Sequence, residues 1–188
     1  MSGSRHAQSR RTSRRVALCA MISSLSAVLM LSGGVIPAAT FAAPLLAGLL
    51  LLVTMLETDR RAAWAVWAVT AVLTLLLSSD KEAACFYLFV GWWPMVKWPL
   101  ERRIGRPWMR LAVKALLFAA LLAAMYALLT LILGAAALLG EFREMGRWMT
   151  AAFFVGMLGC LLLWDRLLMP MAVLYTQRLA PRLKFLRR

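Results

Sequence analysis

The chain has 188 residues, of which 63% are hydrophobic and 16% charged, and its 22 lysines and arginines outnumber 8 aspartates and glutamates, for a formal net charge of +14. Soluble domains carry about 45 to 50% apolar and about 25% charged residues, so an ordinary soluble domain is excluded. Disorder is also excluded, because disordered chains combine high net charge with few apolar residues. The composition predicts an all-α integral membrane protein.

The residue inventory excludes several kinds of active site. The single histidine, His6, lies in the N-terminal tail, so neither a Ser-His-Asp triad nor a histidine zinc site is expected inside the fold. Cys19, Cys85 and Cys160 lie alone in separate apolar stretches and are interpreted as buried free thiols. The sequence has no glycine-rich nucleotide-binding motif, so any ATP-driven step requires another subunit. We expect no enzymatic activity and no bound metal or cofactor.

Apolar runs mark six segments that approach or reach the length of a bilayer crossing, which needs about 20 residues. In chain order, these segments are residues 16–33, 41–56, 62–78, 83–96, 111–133 and 150–164. The fourth and sixth are short and gain length if flanking basic side chains extend to the interface. The sequence therefore predicts six transmembrane helices.

Prolines set the expected ends of two spans. Pro94 and Pro99 flank Lys97, which predicts a kink or an end of the fourth helix there. Pro170 predicts that the sixth span stops near residues 165–166, and that the chain up to residue 179 lies in the interface as an amphipathic helix. The expected organisation is a basic tail at 1–15, a six-helix transmembrane domain at 16–166 and a basic cytoplasmic or interfacial segment at 167–188.

The first segment also resembles a secretory signal peptide. Four arginines precede it, at positions 10, 11, 14 and 15, and the small residues at 38–42 resemble a cleavage site. However, the apolar run is longer than the usual signal core, and another membrane-length segment follows almost at once. We expect the segment to be retained as the first transmembrane helix.

The distribution of lysine and arginine predicts the topology, because cytoplasmic loops are enriched in both. With the N-terminus inside, all but three of the 22 basic residues fall on the cytoplasmic side, the exceptions being Lys81, Arg143 and Arg147. Five spans would place either the basic 97–114 region or the C-terminal run on the wrong side. We therefore predict that both termini are cytoplasmic and that the protein is multi-pass in the bacterial inner membrane.

The stretch at 80–97 is the most distinctive part of the sequence. Asp80 and Glu82 stand where a helix begins, and the helix dipole favours acidic residues there, so capping alone explains them. The alternative is that Asp80, Glu82 and Tyr87 line the outer end of a cavity that recognises a small polar solute. Tyr126, on the fifth span, either reaches the same cavity or bonds to a neighbouring helix.

Three ionisable residues lie near the cytoplasmic ends of spans. Ionisable groups inside a membrane are functional candidates, but Lys97, Lys114 and Asp165 sit close to the interface. We interpret Asp165 as an ion-pair partner of Arg166 or of a basic residue between the fourth and fifth spans. No acidic residue lies near the middle of a span, so a proton-coupled pump is not expected.

A basic face is predicted on the cytoplasmic side. Its members are Arg102, Arg103, Arg106, Arg110, Arg182 and Lys184. Such a face suits anionic lipid, at about 1 kcal/mol for each basic residue near the surface, or an acidic cytoplasmic partner. Nucleic acid is not expected as a partner, because these residues face the lipid headgroups.

Small residues four apart allow membrane helices to approach closely. Such pairs or runs are Ala119 with Ala123, Ala120 with Ala124, and Ala152 with Gly156 and Cys160. We expect these stripes, on the fifth and sixth spans, to pack inside the protein. The first span also carries such pairs, among them Ala20 with Ser24, and these fit either internal packing or a partner helix.

The layout resembles the substrate-binding S components of energy-coupling-factor transporters, which are also six-helix membrane proteins of this size with both ends inside. The resemblance rests on the sequences at 15–24 and 43–48 and on Pro37 between them. It implies that Ala20, Ser24 and Ala27 contact a shared transmembrane subunit driven by two ATPases. The sequences at 80–97 and 165–168 also resemble uncharacterised small bacterial membrane proteins with the same layout.

Two functions follow as hypotheses. The first is a substrate-capturing membrane subunit of an uptake transporter for a small, vitamin-like solute, powered by separate ATPase subunits. The second is a membrane scaffold or envelope assembly protein that does not transport and whose working surface is the basic cytoplasmic face.

Overall fold

A computed structural model of the chain describes residues 2–32, 39–134, 140, 142, 143 and 145–179, and the side chains of all of these except 2–11, 39 and 179. Within these residues the regular structure is entirely helical. The helices are α1 (Ser2–Ser32), α2 (Ala39–Glu57), α3 (Arg60–Leu77), α4 (Lys81–Val90), α5 (Trp93–Arg103), α6 (Pro107–Leu133) and α7 (Arg147–Leu174). A π-helical turn at Tyr175–Leu179 follows α7.

Five helical stretches are long and apolar enough to cross a membrane. They are Thr12–Ser32, Thr40–Glu57, Arg60–Leu77, Pro107–Leu133 and Arg147–Arg178. These stretches correspond to all the predicted segments except the fourth. For the described residues, the prediction of an all-helical chain with several helices long and apolar enough to span a membrane is thus confirmed. Because α1 begins at Ser2, most of the predicted basic tail continues the first span as one helix.

The fourth predicted segment consists of two short helices rather than one. Helix α4 ends at Val90 and α5 begins at Trp93, with a turn at Gly91 and Trp92 between them. A proline at position 94 has no N–H for the carbonyl of Val90, and its ring would clash with that carbonyl in a continuous helix. The predicted break therefore occurs, but it lies before Lys97, and α5 continues through Pro99.

The helix does not break near residues 165–166, where the last span was predicted to stop. Helix α7 continues through Pro170 to Leu174. A proline inside a helix costs about 3 kcal/mol through the lost hydrogen bond and the ring clash. Beyond residue 166, however, the buried stripe of α7 goes on with Leu168, Ala172 and Tyr175, so the van der Waals packing that stabilises helices in lipid continues past the proline. Continued packing thus offsets the proline.

The chain divides into two compact units, Met1–Val96 and Lys97–Arg188. In the first unit, α1 packs on α2 and α3, and α2 also packs on α4. The shared core consists of Met30, Ala43, Ala47, Leu51, Val66, Ala71, Ala83 and Tyr87. Many of these side chains are small, which lets the helix backbones approach closely, as is typical of membrane helices.

In the second unit, α6 packs against α7. Each helix presents one buried stripe with residues three or four apart, the spacing of a single helical face. On α6 the stripe is Lys114, Phe118, Leu122, Met125 and Leu129. On α7 it is Met157, Leu161, Asp165, Leu168 and Ala172. Lys114 and Asp165 occupy stripe positions, so the packing of these helices carries both charges inward.

Candidate functional site

Asp80 caps α4. Its side chain accepts a hydrogen bond from the backbone N–H of Ala83 at 3.0 Å and another from the hydroxyl of Thr40 at 2.8 Å. Glu82 lies half-buried in the first turn of the same helix. The acidic residues thus occupy the positions that the helix dipole favours, and Asp80 additionally ties the start of α2 to the start of α4.

Tyr87 is fully buried in the core of the first unit. Its ring lies directly over Gly91, where an added Cβ would come within 2.8 Å of the ring carbons. Its hydroxyl interacts with the hydroxyl of Thr70 on α3, and neither hydroxyl has a further hydrogen-bond partner among the residues that the structure describes. The predicted solute-contacting tyrosine is therefore placed deep between helices.

Two further polar atoms in the first unit are also buried with incomplete hydrogen bonding. Ser26 Oγ on α1 and Trp67 Nε1, one turn before Thr70 on α3, are buried and lack a hydrogen-bond partner within the described part of the chain. Other buried threonines behave differently, since Thr54 and Thr74 donate to a carbonyl one turn back, at 3.1 and 2.9 Å. Within the described part of the first unit, the buried polar atoms with incomplete hydrogen bonding thus lie on α1, α3 and α4, and Trp164 Nε1 on α7 is a further such atom in the second unit.

Tyr126 belongs to the second unit, whereas Asp80, Glu82 and Tyr87 belong to the first. It is buried on α6, and its ring contacts Phe154 and Phe142 with centroid distances of 5.2 and 5.7 Å. A wide cavity of about 510 Å³ lies beside these phenylalanines. These contacts involve the ring of Tyr126, and the two alternatives for its hydroxyl, the solute cavity or a bond to a neighbouring helix, stay predictions.

Helix α1 has two distinct faces. One face is buried against the first unit through Ser23, Ser26 and Met30. On the other face Ala20 and Ser24 are exposed, while Ala27 is half-buried at the boundary. The Ser24 hydroxyl donates to the carbonyl of Ala20 at 2.9 Å, so its polar group is satisfied within the helix. The predicted docking residues therefore lie largely on a smooth outer surface that has no unsatisfied polar group at Ser24.

Four charged side chains form a buried cluster in the second unit. Asp165 is 3% exposed, and its two carboxylate oxygens contact Lys97 Nζ at 3.1 Å and Lys114 Nζ at 2.5 Å. Lys97 also donates to the backbone carbonyl of Asp165. Glu101 contacts Lys114 closely and Lys97 at 3.8 Å. The cluster is an alternating chain of two ammonium groups and two carboxylates.

Local sequence explains much of this cluster. Lys97 and Glu101 are four residues apart on α5, so they lie on one helix face. Lys114 and Asp165 lie on the buried stripes of α6 and α7. The predicted ion pair of Asp165 forms with both lysines. Glu101 was not singled out as a site residue, although its spacing from Lys97 is the signal that would have found it.

A cavity of about 280 Å³ lies beside the cluster. Its charged lining consists of Lys97, Lys114, Arg110, Arg166, Glu101 and Asp165. The walls between these charges are apolar and include Leu111, Leu162 and Met169. Cations therefore outnumber carboxylates in this lining by two.

The predicted basic face is described in part. Arg102, Arg103 and Arg106 are exposed, whereas Arg110 is half-buried and donates from Nε to the carbonyl of Ile104 at 2.5 Å. Arg182 and Lys184 lie outside the described residues. Arg110, in the first turn of α6, therefore contacts the α5–α6 connection and also lines the cavity.

Metal binding finds no support in the described residues, which include no group of three or more histidine, cysteine or acidic side chains placed to hold an ion. Comparison of the chain with protein families, curated proteins and solved structures gives no match.

Proposed function

We propose that this protein is the substrate-capturing integral membrane subunit of an uptake transporter for a small, vitamin-like solute, with transport powered by separate ATPase subunits. The observation that supports this function best is a group of buried polar atoms: Ser26 Oγ and Trp67 Nε1 lack a hydrogen bond among the described residues, and the hydroxyls of Thr70 and Tyr87 have none beyond their mutual contact. An unsatisfied polar group in an apolar environment costs roughly 1 to 3 kcal/mol on protein-based scales. A polar solute bound between α1, α3 and α4 would satisfy these groups.

The outer face of α1 supplies the second element of the proposal. Ala20 and Ser24 are small and exposed, and small residues let a partner helix approach the backbone. A transmembrane coupling subunit that docks here would connect solute capture to the ATPases, and Ala27 lies at the edge of the same surface.

In the proposed membrane arrangement, α4 and α5 together make the fourth crossing. They comprise residues 81–103 with their connecting turn, close to the roughly 20 residues that one crossing needs. Six crossings would keep both termini in the cytoplasm, in accord with the distribution of basic residues, and we propose a bacterial cell membrane as the location.

Purification of the full chain from its native membrane in mild detergent tests this function. We expect a small polar molecule to co-purify, detected by mass spectrometry of extracts, together with a membrane subunit and ATPase subunits. Tyr87→Phe should retain about one-tenth of the bound molecule, because a lost hydrogen bond of about 1.4 kcal/mol lowers affinity tenfold. Thr74→Val is the matched control, since the Thr74 hydroxyl is already satisfied within α3.

A membrane scaffold is the second candidate, and the exposed arginines at 102, 103 and 106 favour it. The same purification separates the two functions. Recovery of a division or envelope protein without any enriched small molecule would contradict solute capture and support the scaffold. If Tyr87→Phe and the unaltered protein contained equal amounts of the small molecule, Tyr87 would not be part of the solute-binding site.

A further inference from the structure

The cavity in the second unit contains more positive charge than its internal ion pairs require. Two lysines and two carboxylates already neutralise one another in the cluster of Lys97, Lys114, Asp165 and Glu101. Arg110 and Arg166 line the same cavity and add two further positive charges. Arg110 is half-buried and Arg166 is exposed, so a ligand can approach both guanidinium groups from solvent.

Burial distinguishes the two carboxylates. Asp165 is held between both lysines and its side chain is 4% exposed, whereas the side chain of Glu101 is 24% exposed. Asp165 therefore acts as the inner counter-ion that fixes the two ammonium groups. Glu101 lies nearer to solvent, and the arginines share the cavity with it. This arrangement leaves lysine and arginine donors available to a negatively charged ligand.

We propose that this cavity binds a phosphate group. Guanidinium groups match phosphate oxygens bidentately, and lysine ammonium groups serve as point charges for the same oxygens. The surplus of two positive charges in the lining is enough to neutralise a phosphate monoester, with a charge of about −2 near neutral pH, or the single negative charge of a phosphodiester headgroup. Arg110 and Arg166 provide the guanidinium groups, and Lys114, held by Asp165, provides an ammonium group. This site lies in the second unit and is independent of the solute capture proposed for the first.

The phosphate has two possible sources, a soluble phosphate compound or the headgroup of an anionic lipid. The full-length protein in mild detergent is titrated with inorganic phosphate, with chloride at matched ionic strength as the control, and its thermal unfolding midpoint is followed. In a second series, phosphatidylglycerol is added to the micelles and retained lipid is counted by native mass spectrometry. Diacylglycerol with the same acyl chains is the phosphate-free control.

Arg166→Gln and Arg110→Gln should each weaken binding of the responding probe about tenfold. The double substitution Arg60→Gln with Arg61→Gln is the control, because both arginines are exposed at the start of α3 in the first unit. Arg110 also donates to a backbone carbonyl, so Arg166→Gln, at an exposed side chain, decides the result if Arg110→Gln fails to fold.

A response to inorganic phosphate supports a soluble ligand, and a response to phosphatidylglycerol alone supports a lipid headgroup. A response to neither probe would overturn the proposal. Equal weakening by the cavity substitutions and by the substitutions at 60 and 61 would also overturn it, because binding would then follow overall charge rather than this cavity.

Discussion

At the residue scale, Asp165 has the most constrained environment in the second unit. It neutralises Lys97 and Lys114, which are 3% and 7% exposed. Removing one partner of a buried ion pair leaves an uncompensated charge and costs roughly 3 to 5 kcal/mol. We therefore expect Asp165→Asn to destabilise the protein by about this amount, measured as the free energy of unfolding in mixed detergent micelles.

Glu101→Gln provides the comparison for Asp165→Asn. Glu101 also contacts both lysines, but its side chain is 24% exposed, so water can replace part of the lost interaction. Its substitution should cost about 1 kcal/mol or less, as for exposed ion pairs. If the two substitutions were equally harmful, or if Asp165→Asn were harmless, Asp165 would not be the inner counter-ion of the cluster.

The sequence allowed part of this cluster to be predicted. The ion pair of Asp165 was expected, because a carboxylate at the end of an apolar span needs a positive partner. Its actual partners are 51 and 68 residues away along the chain. Asp165 pairs with Lys97 and Lys114 rather than with the adjacent Arg166 because of the way the faces of α5, α6 and α7 meet. Only the tertiary structure shows which faces these are.

At the element scale, α1 separates a packing face from an exposed face. Ala20→Leu combined with Ser24→Leu should leave the unfolding midpoint unchanged, because both residues are exposed. The proposed coupling subunit should co-purify about tenfold less, since a steric cost of about 1.4 kcal/mol at the contact weakens binding tenfold. Quantitative mass spectrometry of the purified complex measures the ratio.

Ser26→Leu is the control on the opposite face of α1. Ser26 is fully buried, and overpacking a buried position costs about 1 to 3 kcal/mol, so the unfolding midpoint should fall. Unchanged co-purification in the Ala20 and Ser24 double variant would show that this face does not dock the coupling subunit. A fall in stability of the double variant would show that the face packs internally instead.

For the small-residue stripes of the fifth and sixth spans, the prediction from the sequence pattern was wrong. We expected them to pack inside the protein, but the structure leaves them exposed, and Cys160 is exposed rather than buried. Helices α6 and α7 meet through large side chains such as Phe118 and Leu161 instead. The motif permits a close approach of helices, but it does not choose between an internal and an external neighbour.

At the scale of the whole molecule, the prediction of six crossings requires that α4 and α5 cross the membrane together. Single cysteines at Arg60, Ser79 and Arg103, in a protein without its native cysteines, can be labelled with a membrane-impermeant maleimide. All three positions are exposed. We expect Ser79→Cys to react in intact cells, and Arg60→Cys and Arg103→Cys to react only after lysis, because basic residues collect in the cytoplasm.

The position at 103 separates the two topologies. With six crossings it lies on the same side as position 60. If Arg103→Cys reacted together with Ser79→Cys in intact cells, the α4–α5 pair would not cross, and the five long helices would be the only spans among the described residues. The prediction of six crossings would then be wrong, and the two termini would lie on opposite sides.

The sequence by itself determined the helical membrane class and the approximate positions of five spans, because long apolar runs must satisfy their backbone hydrogen bonds internally in lipid. It also located the break in the fourth segment, because Pro94 disrupts the helix in which it lies. Tertiary structure decided the rest. It extended α7 beyond residue 166, buried Tyr87 beside Thr70 and joined Lys97, Lys114 and Asp165 beside a cavity. These outcomes depend on which helix faces pack together, and packing energy is shared among residues far apart in the chain.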